Sequence, residues 1–274
     1  MCDYTIYVHK RHPALKEVGG FDLLFGSIWK PTAGSPSFGI GYIILTSIVG
    51  TSAAILIGVP IGLLTAVFLS EMAGKRLGTA TSSAVELLAA IPSVIYGLIG
   101  MMVLNPIMFK IERVLFADKS AHQYTGGANM LSGVLVLAIM ILPTVISVST
   151  SSLKAVSDNL RAASLALGAT KEQTIFKTVI PAAKSGILTG VVLGIGRALG
   201  EAMAINMVAG GAVNIPLPFN SVRTLTTQIV SEMGYASGTH RQVLFTVGLV
   251  LYVFIMIVNY VLLKTRKRGF EHGD

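Results

Sequence analysis

Two charged residues stand within an otherwise apolar stretch of this 274-residue chain. Arg197 and Glu201 are four positions apart in GRALGEAMAI, so a continuous helix would place them on one face, one turn apart. A charged side chain near the centre of a bilayer costs about 2.5–3.5 kcal/mol on insertion scales, and intramembrane charges therefore usually have a function. Arginine suits an oxyanion, because its planar guanidinium donates to two oxygens and stays protonated. The pair predicts an anion path in which Arg197 and Glu201 are the substrate-path residues.

The same pair allows a purely structural interpretation. Arg197 and Glu201 could satisfy each other and hold helices together without touching a substrate, because buried charges need partners. If they act on an anion, we expect Glu201 to restrain Arg197 and to accept a hydrogen from protonated phosphate, a bond that fully deprotonated sulfate cannot offer.

Enzymatic chemistry is not indicated, because no nucleophile with a base and no set of metal ligands accompanies the pair. We therefore expect no catalytic residue, no metal site and no cofactor bound by this chain. The histidines are scattered over predicted termini and loops, where solvation explains them better than metal binding: His9, His12, His122, His240 and His272.

Composition places the chain in a lipid bilayer. Hydrophobic residues make up 53% of it and charged residues 12%, with a mean hydropathy of +0.72. This is too apolar and too poor in charge for a soluble domain. The net charge is +8, but Lys and Arg lie in segments that flank apolar runs, as the positive-inside rule predicts, so nucleic-acid binding is not indicated. We expect an all-α polytopic membrane protein.

Five apolar runs are long enough to cross about 30 Å of hydrocarbon, which takes about 20 helical residues. They are residues 40–70, 87–109, 130–153, 186–208 and 243–263. The basic sequence KTRKR after the last run is expected to be cytoplasmic, which makes residues 71–76 and 154–184 cytoplasmic as well.

This topology predicts three parts of the chain. Residues 1–38 would be an extracytoplasmic or interfacial segment, in which Trp29 anchors the chain at the membrane surface. Residues 39–263 would be the transmembrane permease domain, and residues 264–274 a basic cytoplasmic tail with the carboxyl terminus inside the cell.

The segment before the first span is unusual for this topology. It would lie outside the cell with four basic residues, Lys10, Arg11, Lys16 and Lys30, and with no helix to carry a cytoplasmic start across the membrane. The simplest expectation is that a sixth, amino-terminal span is missing through a truncated or misassigned start. A tail that crosses unaided is the alternative.

The cytoplasmic segment 154–184 predicts two helices joined by a glycine turn. Ser157 or Asp158 can cap a first helix that ends before Gly168. Thr170 can cap a second one, with Gln173 in capping-box spacing, and Pro181 should end it. Both helices have an apolar face, and these faces are formed by Leu160, Ala163 and Leu167 and by Ile175, Phe176 and Val179. An apolar surface in the cytoplasm requires a partner.

The sequence LRAASLALGAT at 160–170, followed by Ile180 and Pro181, resembles the EAA coupling-loop motif of ABC importer permeases. The usual form is EAA-x3-G-x9-I-x-L-P. Ala162 stands where the family usually has Glu, Ser164 where it has Ala, and Thr178 where it has Ile. The resemblance implies an ATPase-coupling loop whose residues are Arg161, Ala162, Ala163, Ser164, Gly168, Ala169, Thr170 and Pro181.

Further motifs narrow the resemblance. GRALGEAMAI at 196–205, IPSVIYGLIG at 91–100, ILPT at 141–144 and RTLTTQIVSEMG at 223–234 are similar to the PstC-like permeases of phosphate ABC importers, and the similarity extends over nearly the whole chain. PstA-like sister permeases usually have GETAPL where this chain has GEAMAI at 200–205. Members of the PstC-like kind have an extra amino-terminal helix, in line with the missing span.

The resemblance implies the fold of a type I ABC importer permease and a set of partners in the cell inner membrane. These are a second, PstA-like permease, cytoplasmic ATP-binding subunits and an extracytoplasmic phosphate-binding protein. The chain has no GxxxxGK[ST] sequence, so ATP would be used by the partner ATPase. Two other functions stay open: a permease for another oxyanion such as molybdate or sulfate, and a secondary transporter or channel that uses Arg197 and Glu201 as an ion relay.

Overall fold

The computed structural model describes residues 19–117 and 122–268. These residues belong to two compact units. The first unit holds the chain up to Ser52, Ser93–Val136 and Leu199–Ile255. The second unit holds Ala53–Pro92, Leu137–Ala198 and the chain from Met256 onward. Residues 1–18 of the predicted segment 1–38, with His9 and His12, and residues 269–274 of the predicted tail, with His272, lie outside the described residues.

Helices dominate the described residues, as predicted for an all-α membrane protein. In chain order they are α1 Gly20–Phe25, α2 Gly41–Val67, α3 Lys75–Ala90, α4 Ser93–Ile99, α5 Asn105–Leu115, α6 Met130–Lys154, α7 Asp158–Ala166, α8 Lys171–Thr174, α9 Ile180–Ala182, α10 Lys184–Gly200, α11 Met203–Val208, α12 Leu225–Glu232 and α13 Gly238–Arg268. Turns of π-helix extend α2 at Phe68–Met72, join α4 to α5 at Gly100–Leu104 and join α8 to α9 at Ile175–Val179. A short antiparallel sheet pairs β1 Trp29–Lys30 with β2 Ser37–Phe38.

Four stretches of the described chain are long and apolar enough to cross a membrane. They are Gly41–Met72, Ser93–Leu115, Met130–Lys154 and Gly238–Tyr260. The bent pair Lys171–Ala182 and Lys184–Gly200, with an angle of 69° between its halves, makes a fifth if it is counted as one span. The structure therefore confirms the predicted runs 40–70, 130–153 and 243–263 as helices.

The second predicted span begins later than residue 87. A separate helix, α3, covers Lys75–Ala90, and the chain is extended at Ile91 before the next helix begins at Ser93. Pro92 explains the break, because a proline disfavours helical geometry at the residue before it. No element was predicted for residues 77–86, which form most of α3. At its other end, the second predicted span runs past residue 109, since α5 ends at Leu115.

Small residues bring helices close together in the second unit. An added Cβ would lie 2.7 Å from Ile141 at Gly58 and 2.9 Å from Val145 at Gly62. These glycines therefore let α2 pack closely against α6, as expected where lipid offers no hydrophobic driving force between helices.

Each unit has its own apolar core. In the first, side chains from α1, β2, α2, α12 and α13 pack together: Leu23, Phe38, Ile40, Ile43, Leu225, Val243 and Val247. In the second, the end of α2 and its neighbours contribute Ala66, Val67, Leu153, Ile175, Val179, Ala183 and Ile187. The second core holds segment 154–184 against the ends of α2 and α6.

Candidate functional site

The predicted coupling loop has the helix–turn–helix form that its caps indicated. The Ser157 hydroxyl accepts a hydrogen bond from the Asn159 backbone and begins α7. Gly168 has φ +87° in the turn, a left-handed conformation that glycine adopts without steric cost. Thr170 and Gln173 form a reciprocal capping box at the start of α8, with bonds of 3.1 and 3.2 Å.

The second helical segment of the loop ends just after Pro181 as predicted, but it is not a regular α-helix. It contains the π-helical turn Ile175–Val179 and runs to Ala182. The chain then bends by 69° into α10. Pro181 lies in the first turn of α9, where its missing N–H costs little.

Part of the apolar surface of the loop is exposed. Leu167 is 91% exposed, and Leu160, Leu165 and Phe176 are also exposed. Ile175 and Val179 instead lie in the core of the second unit. The loop therefore presents an exposed apolar surface formed by α7, the glycine turn and Phe176. The buried side of the π turn packs into the core of the second unit. Ala162, Ala163, Gly168 and Pro181 are exposed, whereas Ser164 and Ala169 are half-buried.

Two of the three departures of this loop from the family motif, Ser164 and Thr178, are connected to each other. Ser164 Oγ lies 3.0 Å from Thr174 Oγ1 and accepts a hydrogen bond of 3.4 Å from Thr178 Oγ1. These three hydroxyls join α7 to the second helical segment, where the usual motif has Ala and Ile. A polar contact therefore takes the place of an apolar one at this junction.

Arg161 points into the second unit and not toward the exposed surface of the loop. Its guanidinium donates to the Glu71 carboxylate at 2.8 and 3.3 Å, and to the backbone oxygen of Leu153 at 2.9 Å. It also donates to Val156 O and contacts Asp158 at 3.2 Å.

Arg197 lies on α10, three residues before the helix ends at Gly200. Its side chain is half-buried, and within its own unit the described residues offer it no ion-pair partner. Since α10 starts at Lys184, Arg197 is about 20 Å along the helix, at 1.5 Å per residue.

The sequence predicted one continuous helix through Arg197 and Glu201. The structure does not show this, because Glu201 lies outside the helix that carries Arg197. The chain leaves the helix after Gly200 and begins α11 at Met203. The Glu201 carboxylate accepts a 2.9 Å hydrogen bond from the Ala204 N–H and so satisfies a free donor at the start of α11. Gly200 is a poor helix former, and this local bond offers the backbone an alternative to the helix. The predicted span 186–208 is therefore interrupted at Glu201.

A threonine-rich turn holds the break at Glu201. Thr226 Oγ1 donates a 2.7 Å hydrogen bond to the backbone oxygen of Glu201. Thr224 and Thr227 form a capping box at the start of α12, and Thr224 Oγ1 lies 2.9 Å from Thr226 Oγ1. Farther along α12, Ser231 donates to Asn206 of α11 at 2.8 Å. Segment 210–241, which lies between the fourth and fifth predicted spans, thus contains a short helix that is bonded once to Glu201 and once to α11.

A buried polar network in the first unit was not predicted. The Glu232 carboxylate accepts bonds from Trp29 Nε1 at 3.0 and 3.1 Å and from Arg223, and it lies 2.8 Å from His240 Nε2. Glu232 is only 4% exposed and His240 only 9%. Trp29 is therefore a hydrogen-bonded part of this network, and the prediction of a solvated His240 was wrong. The sequence signal that could have indicated a buried polar network is the spacing of Gln228 and Glu232. These two polar residues lie one turn apart on the helix that Thr224 caps.

His122 is also held inside the first unit. It lies 2.9 Å from Glu112, whose carboxylate is fully buried and also accepts a bond from the Thr125 backbone at 3.1 Å. The prediction of a solvated His122 was wrong as well, because a buried carboxylate needs nearby donors.

The comparisons with known proteins agree with this geometry. Residues 58–268 match the family described as binding-protein-dependent transport system inner membrane component. The chain is 37% identical to the probable ABC transporter permease protein YqgH of Bacillus subtilis, over 92% of this chain and 80% of that protein. It is 34% identical to the phosphate transport system permease protein PstC of Pasteurella multocida, over 87% of this chain and 77% of that protein.

Solved structures show the same fold. The chain aligns with the MetNI methionine ABC transporter with a TM-score of 0.58 and 20% identity, over 84% of this chain and 94% of the other. It aligns with a bacterial alginate ABC transporter with a TM-score of 0.62 and 16% identity, over 97% of this chain and 87% of the other. The predicted type I ABC importer permease fold is therefore confirmed. The chain, a multi-pass membrane permease, belongs to the family of binding-protein-dependent transport system inner membrane components.

Proposed function

We propose that this chain is a permease subunit of an ATP-driven importer of inorganic phosphate and forms half of its translocation path. The observation that supports this most strongly is the similarity to PstC phosphate permeases over most of the chain, such as 34% identity over 87% of it with the Pasteurella multocida protein. Phosphate also suits the half-buried Arg197, because a guanidinium can donate to two oxygens of one anion.

The partners that we propose follow from the family and from the exposed loop. The second half of the path would be a PstA-like permease, and an extracytoplasmic phosphate-binding protein would deliver the substrate. Cytoplasmic subunits would bind and hydrolyse ATP, since this chain has no GxxxxGK[ST] sequence. The chain itself would be neither an enzyme nor the holder of a cofactor.

The exposed apolar surface of the coupling loop is the proposed docking site for the ATPase. Leu160, Leu165, Leu167 and Phe176 are exposed, and an apolar patch on a cytoplasmic loop marks an interaction site. Gly168 forms the turn of this surface, and Ala162 and Ala163 are exposed on the same helix, α7. Arg161 points away from it. This orientation would place the carboxyl terminus in the cytoplasm and would let movements of the ATPase drive alternating access.

The proposed substrate path runs past Arg197 and Glu201. Arg197 would hold the anion by charge and paired hydrogen bonds. Glu201 already uses one carboxylate oxygen to cap α11, so the other oxygen would accept the hydrogen of protonated phosphate. The broken helix supports this assignment, because interrupted membrane helices are tolerated where they line a cavity.

Uptake of labelled phosphate tests both the function and the path. Vesicles should hold this chain with candidate partners, and sulfate and molybdate should be added as competitors. We expect phosphate uptake that neither competitor reduces by more than about twofold. Arg197→Lys and Glu201→Gln should each lower uptake by about tenfold or more, the scale of one charge-assisted hydrogen bond. Near-normal uptake in both variants, at normal membrane levels, would contradict the path, and strong competition by molybdate or sulfate would favour another oxyanion.

A further inference from the structure

Arg161 joins three structural elements of the second unit. Nη2 and Nε donate to the two oxygens of Glu71, at 2.8 and 3.3 Å, in the paired geometry that arginine and carboxylate prefer. Glu71 lies in the π-helical turn at the end of the first span, whereas Arg161 lies in the first helix of the coupling loop. One side chain therefore connects the loop to the end of the first span.

The same guanidinium also holds the end of the third span. It donates to the backbone oxygens of Leu153 and Val156, and α6 ends at Lys154. The last carbonyls of a helix have no partner within the helix, so a cation there satisfies an acceptor and opposes the helix dipole. The contact is thus made at the point where the span passes into the loop.

Burial separates these contacts from an ordinary surface ion pair. The side chains of Arg161 and Glu71 are 19% and 9% exposed, whereas that of Asp158, the other charged partner, is 100% exposed. The hydrogen bond that Arg161 donates to Glu71 is the main cause of a raised pKa for Arg161, so the guanidinium stays charged. Solvent screens the contact of Arg161 with Asp158 strongly. It screens the contact with Glu71 much less, because both of those side chains are largely buried.

We propose that Arg161 is a positioning residue that makes the coupling loop, the end of the first span and the end of the third span move as one body. This inference rests on the proposed docking of the loop to an ATPase. In it, Arg161 does not contact the ATPase; the exposed apolar surface of the loop does. Loss of Arg161 would leave the ATPase docked and active while the spans no longer follow the loop.

The test compares phosphate uptake with ATP hydrolysis in reconstituted vesicles that hold this chain and its partners. We expect Arg161→Gln and Glu71→Gln each to lower the phosphate taken up per ATP hydrolysed by at least fivefold, with the ATPase still bound in a pull-down. Arg161→Lys should lie between wild type and Arg161→Gln, because lysine keeps the charge but cannot span the same acceptors. The control Asp158→Asn should behave as wild type.

A double-mutant cycle distinguishes one shared contact from two separate defects. Arg161→Gln combined with Glu71→Gln should be no worse than either change alone, because both remove the same connection. Losses that multiply in the double variant, or unchanged coupling in Arg161→Gln, would overturn the proposal.

A distance measurement tests the inference without any substrate. Spin labels would be attached at Met72→Cys and Asn159→Cys, both exposed positions outside the proposed docking surface, in a Cys2→Ser background. We expect one narrow distance distribution in the otherwise unchanged chain, with and without ATP, and a broadened one in Arg161→Gln. A distribution that stays narrow in Arg161→Gln would overturn the inference. An unvaried complex that takes up no phosphate would instead count against the proposed function, and the label distances would still report on Arg161.

Discussion

At the residue scale, Glu201 illustrates what a sequence pattern leaves open. The four-residue spacing from Arg197 predicted two charges on one helical face. The structure ends the helix between them and assigns the Glu201 carboxylate to the N–H of Ala204. Spacing alone could not show this, because the choice between a continuing helix and a capped new one depends on a local side-chain bond and on Thr226 from a distant segment.

Thr226 provides a direct test of this arrangement. Thr226→Val removes the hydroxyl that donates to the Glu201 backbone oxygen at 2.7 Å and keeps the shape of the side chain. We expect the initial rate of phosphate uptake to fall by roughly two- to tenfold, the scale of one lost hydrogen bond, and Thr226→Ser to retain most of it. Thr246→Val is a matched control, since Thr246 bonds only to its own helix at Gln242. Full uptake by Thr226→Val would show that the break at Glu201 does not need this support.

The histidines show a second limit of sequence reasoning. His122 and His240 were predicted to be solvated because they lie in predicted loops. Their partners, Glu112 and Glu232, lie 10 and 8 residues away and are buried in the folded chain. A buried carboxylate attracts nearby donors, but which donors reach it is decided by tertiary packing.

At the element scale, helix boundaries set by local chemistry were predictable. Ser157, Gly168 and the Thr170–Gln173 box form the turns and caps that the sequence indicated, because these bonds join neighbouring residues. The helix α3 was missed, because its Thr, Ser and Gly residues are typical of loops. Its stability depends on packing, such as that of Val85 against Leu69 and Ile146.

The glycine turn of the coupling loop can be tested as an element. Gly168 has φ +87°, and an added Cβ would meet no atom within 4 Å, so Gly168→Val acts through backbone strain and not through a clash. The left-handed conformation costs about 1–2 kcal/mol for a residue with a side chain. In Gly168→Val we expect the turn to distort and the rate of ATP hydrolysis to lose its dependence on transported substrate.

Gly74→Val is the matched control for this change. It adds the same side chain into open space at φ −62°, an ordinary backbone conformation. Gly74→Val should therefore leave coupling unchanged. Unchanged pull-down of the ATPase together with unchanged coupling in Gly168→Val would argue against the loop as the docking element.

At the scale of the whole molecule, composition and apolar runs were sufficient to predict a polytopic helical membrane protein. They could not predict where spans break, because Pro92 and Glu201 act locally within runs that are apolar enough to be continuous. The motifs of the loop then predicted the family, which the match over residues 58–268 confirms. The choice of phosphate rests on similarity to PstC proteins.

The most direct test of the account is ATP-dependent uptake of labelled phosphate by vesicles that hold this chain, a PstA-like permease, the ATPase and the phosphate-binding protein. Wild type and Arg197→Ala should be compared at equal assembly, with and without ATP and with and without the binding protein. We expect uptake by wild type that requires both ATP and the binding protein. We expect Arg197→Ala to lose uptake with the complex intact. Uptake without ATP would contradict the proposed importer, and unchanged uptake by Arg197→Ala would remove Arg197 from the anion path.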